Sequence, residues 1–264
     1  MRYQNTEIEN FAEEVKRDGF CILREHFPAG KLLKWSERFA PLLENHIAAQ
    51  GTLENRGSAR YYVTLPFDEL FADEEIFADA DVLAIVEKLV GADFTMVQLA
   101  TDTPLKGSDY QEIHRDAPPL FPEMETETPA FQLAVNFPLV GVTAENGPFE
   151  VSRRTHLMTK EAGLRSIESG ENPIEAVLLN LGDVMIRDVR GLHRGTPNRT
   201  DTPRPMCVIG YSRKWLFRPE VSISIPQKIW ETLAPESKKM LRFNRVVESL
   251  ENAPQEEIYQ AFAY

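Results

Sequence analysis

His114-Arg115-Asp116 is the stretch whose residue types and spacing could do chemistry. In an extended chain, residues two apart share a face, so His114 and Asp116 would aim an imidazole and a carboxylate at one point. A second imidazole from a distant segment would complete a facial set of two histidines and one carboxylate. That set, with its open positions, is the arrangement expected for non-haem Fe(II) oxygenases. The open positions are what the chemistry needs: two for a chelating keto acid, one for O2. A single carboxylate also suits Fe(II) better than Ca²⁺ or Mg²⁺, which prefer shells of oxygen. Taken alone, His-x-Asp is a short pattern, and an exposed His next to a capping Asp explains it equally well.

The chain has five histidines, which narrows the search for a third ligand. His26 and His46 fall in helix-like sequence and read as surface residues. His156 ends the loop Ser152-Arg153-Arg154-Thr155-His156. His193 follows the strand-like Val184-Met185-Ile186 and precedes Pro197-Asn198-Arg199. Both remain candidates; the placement of His193 favours it, and leaves His156 a supporting or surface role. Arg204 opens the next strand-like run. A guanidinium there could hold the far carboxylate of a dicarboxylate cosubstrate in a two-pronged ion pair. The competing reading is a surface Arg beside Asp201.

These residues need elements to position them. Thr6 and Glu9 form a capping-box pattern, with Ile8, Phe11 and Val15 on one helical face, and Asp18-Gly19 ends that helix. Phe20 to Leu23 reads as a short strand, Gly30 to His46 as a helix, and Gln50 to Ser58 as a loop. Asp79 to Gly91 reads as a capped helix. After Gly91 the pattern changes. Phe94–Leu99, Phe131–Val140, Ala176–Leu179, Val184–Ile186 and Met206–Tyr211 read as strands separated by turns such as Glu145-Asn146-Gly147-Pro148. Short strands without alternating helices predict an antiparallel sandwich or barrel. From Pro226 onward the pattern returns to helix. The expected plan is a single domain over 1–264: a helical part at 1–92, a β core at about 93–215, and a helical tail at 226–264.

Composition sets limits. A hydrophobic content of 42% and a charged content of 27% fit a globular domain. A net charge of −12 argues against a nucleic-acid partner, because binding phosphates requires a basic surplus. The absence of a long apolar run or a secretory leader, and of a Ser-Lys-Leu-type ending, leads us to expect a cytoplasmic protein with no membrane partner. Cys21 and Cys207 sit in apolar runs and read as buried, reduced thiols.

Taken together, His114-Arg115-Asp116, the tract His193-Arg194-Gly195 with Asn198, and Arg204 resemble the phytanoyl-CoA dioxygenase family. Glu145-Asn146-Gly147-Pro148-Phe149 and Leu181-Gly182-Asp183-Val184 resemble it as well. The likeness covers roughly Phe94 to Ser212. It implies a mainly β, double-stranded β-helix (jelly-roll) core flanked by α-helices, with Fe(II), 2-oxoglutarate and O2 as cofactor and cosubstrates. It further implies metal ligands His114, Asp116 and His193, an Arg204 anchor, and cosubstrate contacts from Gln98 and Asn136. Three departures stand out. Ser152-Arg153-Arg154-Thr155-His156 replaces the usual Pro-Gly-Ser-His loop, Gly195 stands where a hydroxyl residue is common, and Arg115 replaces a common Gln, facing a channel or solvent.

The expected reaction is oxidation, most simply hydroxylation, of a C–H bond in a small natural-product-like molecule, with release of succinate and CO2. An Asp at position 116, rather than a small residue, argues against halogenation. Tyr61, Tyr62, Phe67, Phe121, Trp215 and Phe217 could line an apolar mouth or pack the core. Arg153, Arg154, Arg187, Arg190 and Arg213 read mainly as solvated surface that could meet an anionic substrate. The alternatives are a jelly-roll metalloenzyme that needs no 2-oxoglutarate, for which an Arg204 anchor has no use, and a metal-free binding module.

Overall fold

Apolar periodicity sets the order of elements in the computed structural model, which describes residues 1–50, 57–124, 126–216 and 222–253. The chain runs α1 (Asn5–Asp18), β1 (Phe20–Leu23), α2 (Ala29–Gln50), β2 (Arg60–Thr64), α3 (Glu74–Phe77) and α4 (Ala80–Val90). Next come β3 (Phe94–Pro104), β4 (Gln132–Pro138), β5 (Phe149–Ser152), α5 (Lys160–Glu168), β6 (Ile174–Val177), β7 (Val184–Asp188), β8 (His193–Gly195) and β9 (Met206–Arg213). The last are β10 (Ser224–Pro226), α6 (Gln227–Thr232), α7 (Pro235–Leu241) and β11 (Arg245–Val247).

A six-stranded sheet in the order β1-β7-β4-β9-β3-β2, antiparallel throughout, faces a three-stranded sheet β6-β5-β8. This is the expected jelly-roll core with flanking helices. Side-chain alternation divides the large sheet into two faces. Leu133, Val135 and Phe137 of β4, with Cys207, Ile209 and Tyr211 of β9, join the helices in one apolar cluster that includes Trp35, Phe39, Ile85 and Val86. Each such fully buried aliphatic or aromatic side chain contributes roughly 1.5–3 kcal/mol. The alternate residues Gln132, Ala134 and Asn136 of β4, Met206 and Val208 of β9, and Arg187 of β7 line an internal cavity.

Strand β3 reaches the same result by a shift. Met96 packs with the helices, and a bulge between Met96 and Gln98 then displaces the register by one residue. A one-residue slip flips a strand's faces, so Gln98 and Asp102 turn into the cavity while Leu99 joins the outer core.

The helix expected near Asp79 is present, with Asp79 accepting from Asp81 N and Val82 N and Gly91 closing it at φ +87°. The first helix is capped two residues earlier than expected, by a reciprocal Gln4–Glu7 box rather than Thr6–Glu9. The helical expectation for 1–92 omitted β2, which forms the sheet edge, and the strand expectation for the core omitted α5. The tail from 226 is not wholly helical: β11 pairs in parallel with β10. The rest of that predicted helix, from 254 onward, lies outside the described residues. Both cysteines are buried and free. No helix among the described residues is long and apolar enough to cross a membrane.

Candidate metal centre

His114 and Asp116 are not on a regular strand, contrary to the expectation from their spacing. They lie in the segment after β3, docked to β8 by a single bridge in which His114 N donates to His193 O and His193 N to His114 O, both at 3.0 Å. Asp116 N donates to Val189 O at 3.0 Å. The backbone of one histidine thus fixes the backbone of the other, far away in sequence, and the three ligand-type groups meet with their atoms all within 4.8 Å of one another. His193 Nε2 is 3.4 Å and His114 Nε2 3.9 Å from Asp116 Oδ1.

Both imidazoles are oriented from behind. The Nδ1 of His114 is 2.7 Å from Glu112 O and that of His193 is 2.8 Å from Gly191 O. A carbonyl accepts only from a protonated Nδ1, which leaves each Nε2 lone pair directed at the shared point. Burial, reinforced by His193, pushes the His114 imidazole down to about 4 against the pull of Asp116, so the ring is neutral and able to ligate. Burial alone would raise the Asp116 carboxyl, but the Arg187 guanidinium and the imidazoles hold it well below the usual carboxylate range. A ligand set of two imidazoles and one carboxylate fits Fe(II) and leaves coordination positions open toward the cavity.

Arg115 faces away from this point, but not toward a channel or solvent. It is buried, donating from Nη1 to Glu127 Oε1 at 2.8 Å and from Nη2 to Thr155 O at 2.8 Å and to Met158 O. Arg190 joins the same buried network through Asp188, 2.6 Å away, and Glu127. Arg190 too departs from the solvated-surface expectation. The network clamps the backbone between His114 and Asp116.

Arg204 is fully buried and lines the same cavity as the three ligand-type residues. It is not a surface partner of Asp201, which pairs with Lys106 at 2.7 Å. Burial pushes the guanidinium down to about 10, with Asp102 opposing and Arg60 adding to the shift. Its Nε has no hydrogen-bond partner. An orphaned buried cation is costly unless a ligand completes it. The turn before Arg204 is folded by Asn198, whose Nδ2 donates to Pro104 O at 3.0 Å and Thr202 O at 2.8 Å.

Gln98 and Asn136 both line the cavity. Gln98 Nε2 donates to Tyr62 Oη at 2.5 Å. Asn136 is engaged at both ends of its amide: Nδ2 donates to Cys207 O at 3.2 Å and Oδ1 accepts from Arg187 Nε at 3.0 Å. His156 is not at the site. It is buried against α1, with Nε2 3.1 Å from Lys16 O. His26 and His46 are not surface residues either: the His26 side chain is almost fully buried, 2.8 Å from Asp79 Oδ1, and His46 is half-buried against Tyr61. His26, Asp79 and Asp81 form a second group of ligand-type atoms. There Asp79 caps α4 and Asp81 accepts from Arg2 N and Tyr3 N, which is an anchor for the N-terminus.

Of the aromatic residues expected at a mouth, Tyr62 lines the cavity, Tyr61 and Phe67 are core, and Phe121 and Trp215 line a separate surface groove. Phe217 lies outside the described residues. Two arginines stand elsewhere than expected: Arg187, read as mainly solvated surface, is buried at the site, and Arg60 was not singled out. Arg187 reaches Asp116 Oδ2 with Nη2 at 2.5 Å. Arg60, fully buried, fills the space beside Gly195, where a Cβ would lie 2.5 Å from its Cζ. The missing hydroxyl residue at 195 is therefore matched by a guanidinium occupying its place. The signal for Arg60 was alternation in Arg60-Tyr61-Tyr62-Val63, whose odd-numbered members are apolar and outward.

An antiparallel jelly roll with a buried group of two histidines and one carboxylate facing an internal cavity defines the class: a cupin-like metalloenzyme fold. The chain belongs to the phytanoyl-CoA dioxygenase (PhyH) family, whose profile matches residues 15–206. The family comprises Fe(II)- and 2-oxoglutarate-dependent enzymes. The fold is similar to that of the non-haem alpha-ketoglutarate-dependent epimerase SnoN from nogalamycin biosynthesis, at 20% identity and a TM-score of 0.61, over 80% of this chain and 84% of that one. It is similar to HygX from Streptomyces hygroscopicus, whose structure holds nickel, 2-oxoglutarate and hygromycin B, at 15% identity and a TM-score of 0.60, over 82% and 90%. It is also similar to the carbocyclase SnoK from nogalamycin biosynthesis, at 16% identity and a TM-score of 0.59, over 80% and 85%.

Proposed function

We propose that this chain is an Fe(II)- and 2-oxoglutarate-dependent oxygenase in which His114, Asp116 and His193 hold the metal and Arg204 anchors the far carboxylate of the keto acid. The observation that carries the reading is the convergence of two oriented Nε2 lone pairs and Asp116 Oδ1 in the cavity that also exposes the incompletely paired Arg204. An enzyme with no dicarboxylate to bind has no use for that cation. When bound, the metal and keto acid supply, with O2, an oxidant able to take hydrogen from an unactivated C–H bond, releasing succinate and CO2.

The chain's own groups orient and exclude. The Glu112 and Gly191 carbonyls fix the ring tautomers, and the Arg115 network holds the ligand segment. Gln98, steadied by Tyr62, donates to the keto acid, whereas Asn136 acts through Arg187. The outcome we assign is hydroxylation of a small organic molecule, a natural-product intermediate in keeping with what SnoN and HygX handle. In this reading the chain acts as one catalytic domain, which is supported among the described residues by the apolar cluster that N-terminal helices, large sheet and α7 share; a cytoplasmic location is part of the same proposal.

The test is anaerobic addition of Fe(II) and 2-oxoglutarate. A weak visible charge-transfer band is expected from the unaltered chain and none from Asp116→Asn. A folded, unaltered chain without the band would remove the assignment.

A further inference from the structure

The two oxygens of Asp116 have different partners. Oδ1 faces the imidazoles, 3.4 Å from His193 Nε2 and 3.9 Å from His114 Nε2. Oδ2 is 2.5 Å from Arg187 Nη2. We propose that Arg187 is a positioning residue that makes Asp116 a one-oxygen ligand and so keeps three coordination positions open; this rests on the metal-centre reading above.

Arg187 is fixed well enough for that work. Its backbone in β7 pairs with Phe20 on one side and Ala134 on the other. Its Nε donates to Asn136 Oδ1 at 3.0 Å, and Asn136 is tied in turn to Cys207 O. Its guanidinium lies 5.2 Å from the centre of the Phe149 ring, which itself packs on His193. A guanidinium held on these sides cannot follow Asp116 if the carboxylate rotates, so rotation breaks the ion pair.

Stability does not account for the arrangement. Arg187 is buried, and its Nη1 has no hydrogen-bond partner. A buried pair of this kind is often no more stable than an apolar replacement. A cation this close also repels a divalent ion, which lowers metal affinity. Both costs are tolerable where the gain is coordination geometry. A carboxylate chelating through both oxygens would take one of the three open positions. A keto-acid chelate needs two of them, and O2 needs the third.

Mn(II) is the probe, because its electron paramagnetic resonance lines broaden in ¹⁷O-enriched water in proportion to the number of bound waters. The unaltered chain should bind Mn(II) with three exchangeable waters. Arg187→Met and, as a second neutral variant, Arg187→Gln should show two waters and tighter Mn(II) binding, by about tenfold, because a nearby cation is gone and a second oxygen is released. Arg187→Lys, which keeps the charge, should restore three. A merely structural role would instead loosen Mn(II) binding and leave the water count alone. Three waters in the neutral variants, or weaker binding by them, overturns the proposal while leaving the metal centre intact. An unaltered chain that binds no Mn(II) overturns both.

Discussion

Replacing Gly195 by Ala tests whether Arg60 really occupies the space that a side chain at 195 would need. An ideal Cβ at Gly195 falls 2.5 Å from Arg60 Cζ and Nη1 and 2.7 Å from Nη2. The guanidinium would have to recede by about 1 Å to reach ordinary van der Waals separation. It has no slack to do so. Nη1 donates to Asp102 Oδ2 at 2.8 Å and Nη2 to Thr196 O at 2.7 Å, and the side chain is fully buried. Moving it stretches both bonds beyond hydrogen-bonding range. Each hydrogen bond from a charged group is worth about 1.5–3 kcal/mol, and disrupting a buried ion pair costs about 3–5 kcal/mol, so Gly195→Ala should cost about 3–5 kcal/mol. In an Arg60→Met background the obstructing guanidinium is absent. There the same change should cost less than about 1 kcal/mol, and the lower chain entropy of Ala offsets part of that. Urea unfolding of the four chains, with unchanged m-values, gives the cycle, and a coupling of about 2–4 kcal/mol is expected. Additive costs, or a single Gly195→Ala change costing under 1 kcal/mol, would show that Arg60 does not hold that space.

Two further outcomes follow from buried charge elsewhere. Arg204→Met should leave Mn(II) binding within about twofold while weakening 2-oxoglutarate binding by about 100-fold or more, the scale of losing one partner of a buried ion pair; calorimetric titration of the metal-loaded chain reads both, and equal losses of metal and keto acid would argue against an anchor. Burial lowers the His156 imidazole below its ordinary value, with Asp188 and the Lys16 carbonyl opposing. The native state therefore binds fewer protons than the unfolded one, so stability is present above the unfolded pKa of about 6.5 and declines as pH falls through it. His156→Gln should reduce the fall in Tm between pH 7 and pH 5; an unchanged fall would show that His156 is not the titrating group.

What the sequence disclosed depended on whether a feature is local. The capped α4 and the apolar strands β4, β7 and β9 were readable because periodicity and end signals lie within a dozen residues. The His114–Asp116–His193 set is readable as types and order, but strand alternation is not what aims His114 and Asp116 at one point. Their common aim comes from hydrogen bonds to residues 189 and 193, not from strand alternation. Nothing within His114-Arg115-Asp116 could reveal a partner that far along the chain.

Arg187 shows the same limit from the other side. In Val184-Met185-Ile186-Arg187-Asp188, period two places Arg187 with Met185 and opposite Ile186, a pattern equally compatible with the wet face of a strand. That face is wet only if nothing covers it. Here the β6-β5-β8 sheet covers it, and β1 pairs along its edge, so the apparently solvated side becomes the inside of a cavity. Whether a charged residue in such a strand is surface or site is decided by the second sheet, and the Met96/Gln98 bulge decides the same question for Gln98 by moving one residue out of register. Polar residues alternating against apolar ones in a chain expected to form two facing sheets therefore include some that point inward, as Gln98, Gln132, Asn136 and Arg187 do. Two buried arginines line that cavity, Arg187 and Arg204; Arg187 is matched by Asp116 from within the fold, whereas Arg204 Nε has no hydrogen-bond partner among the described residues, so Arg204 is the one whose charge the fold itself does not explain.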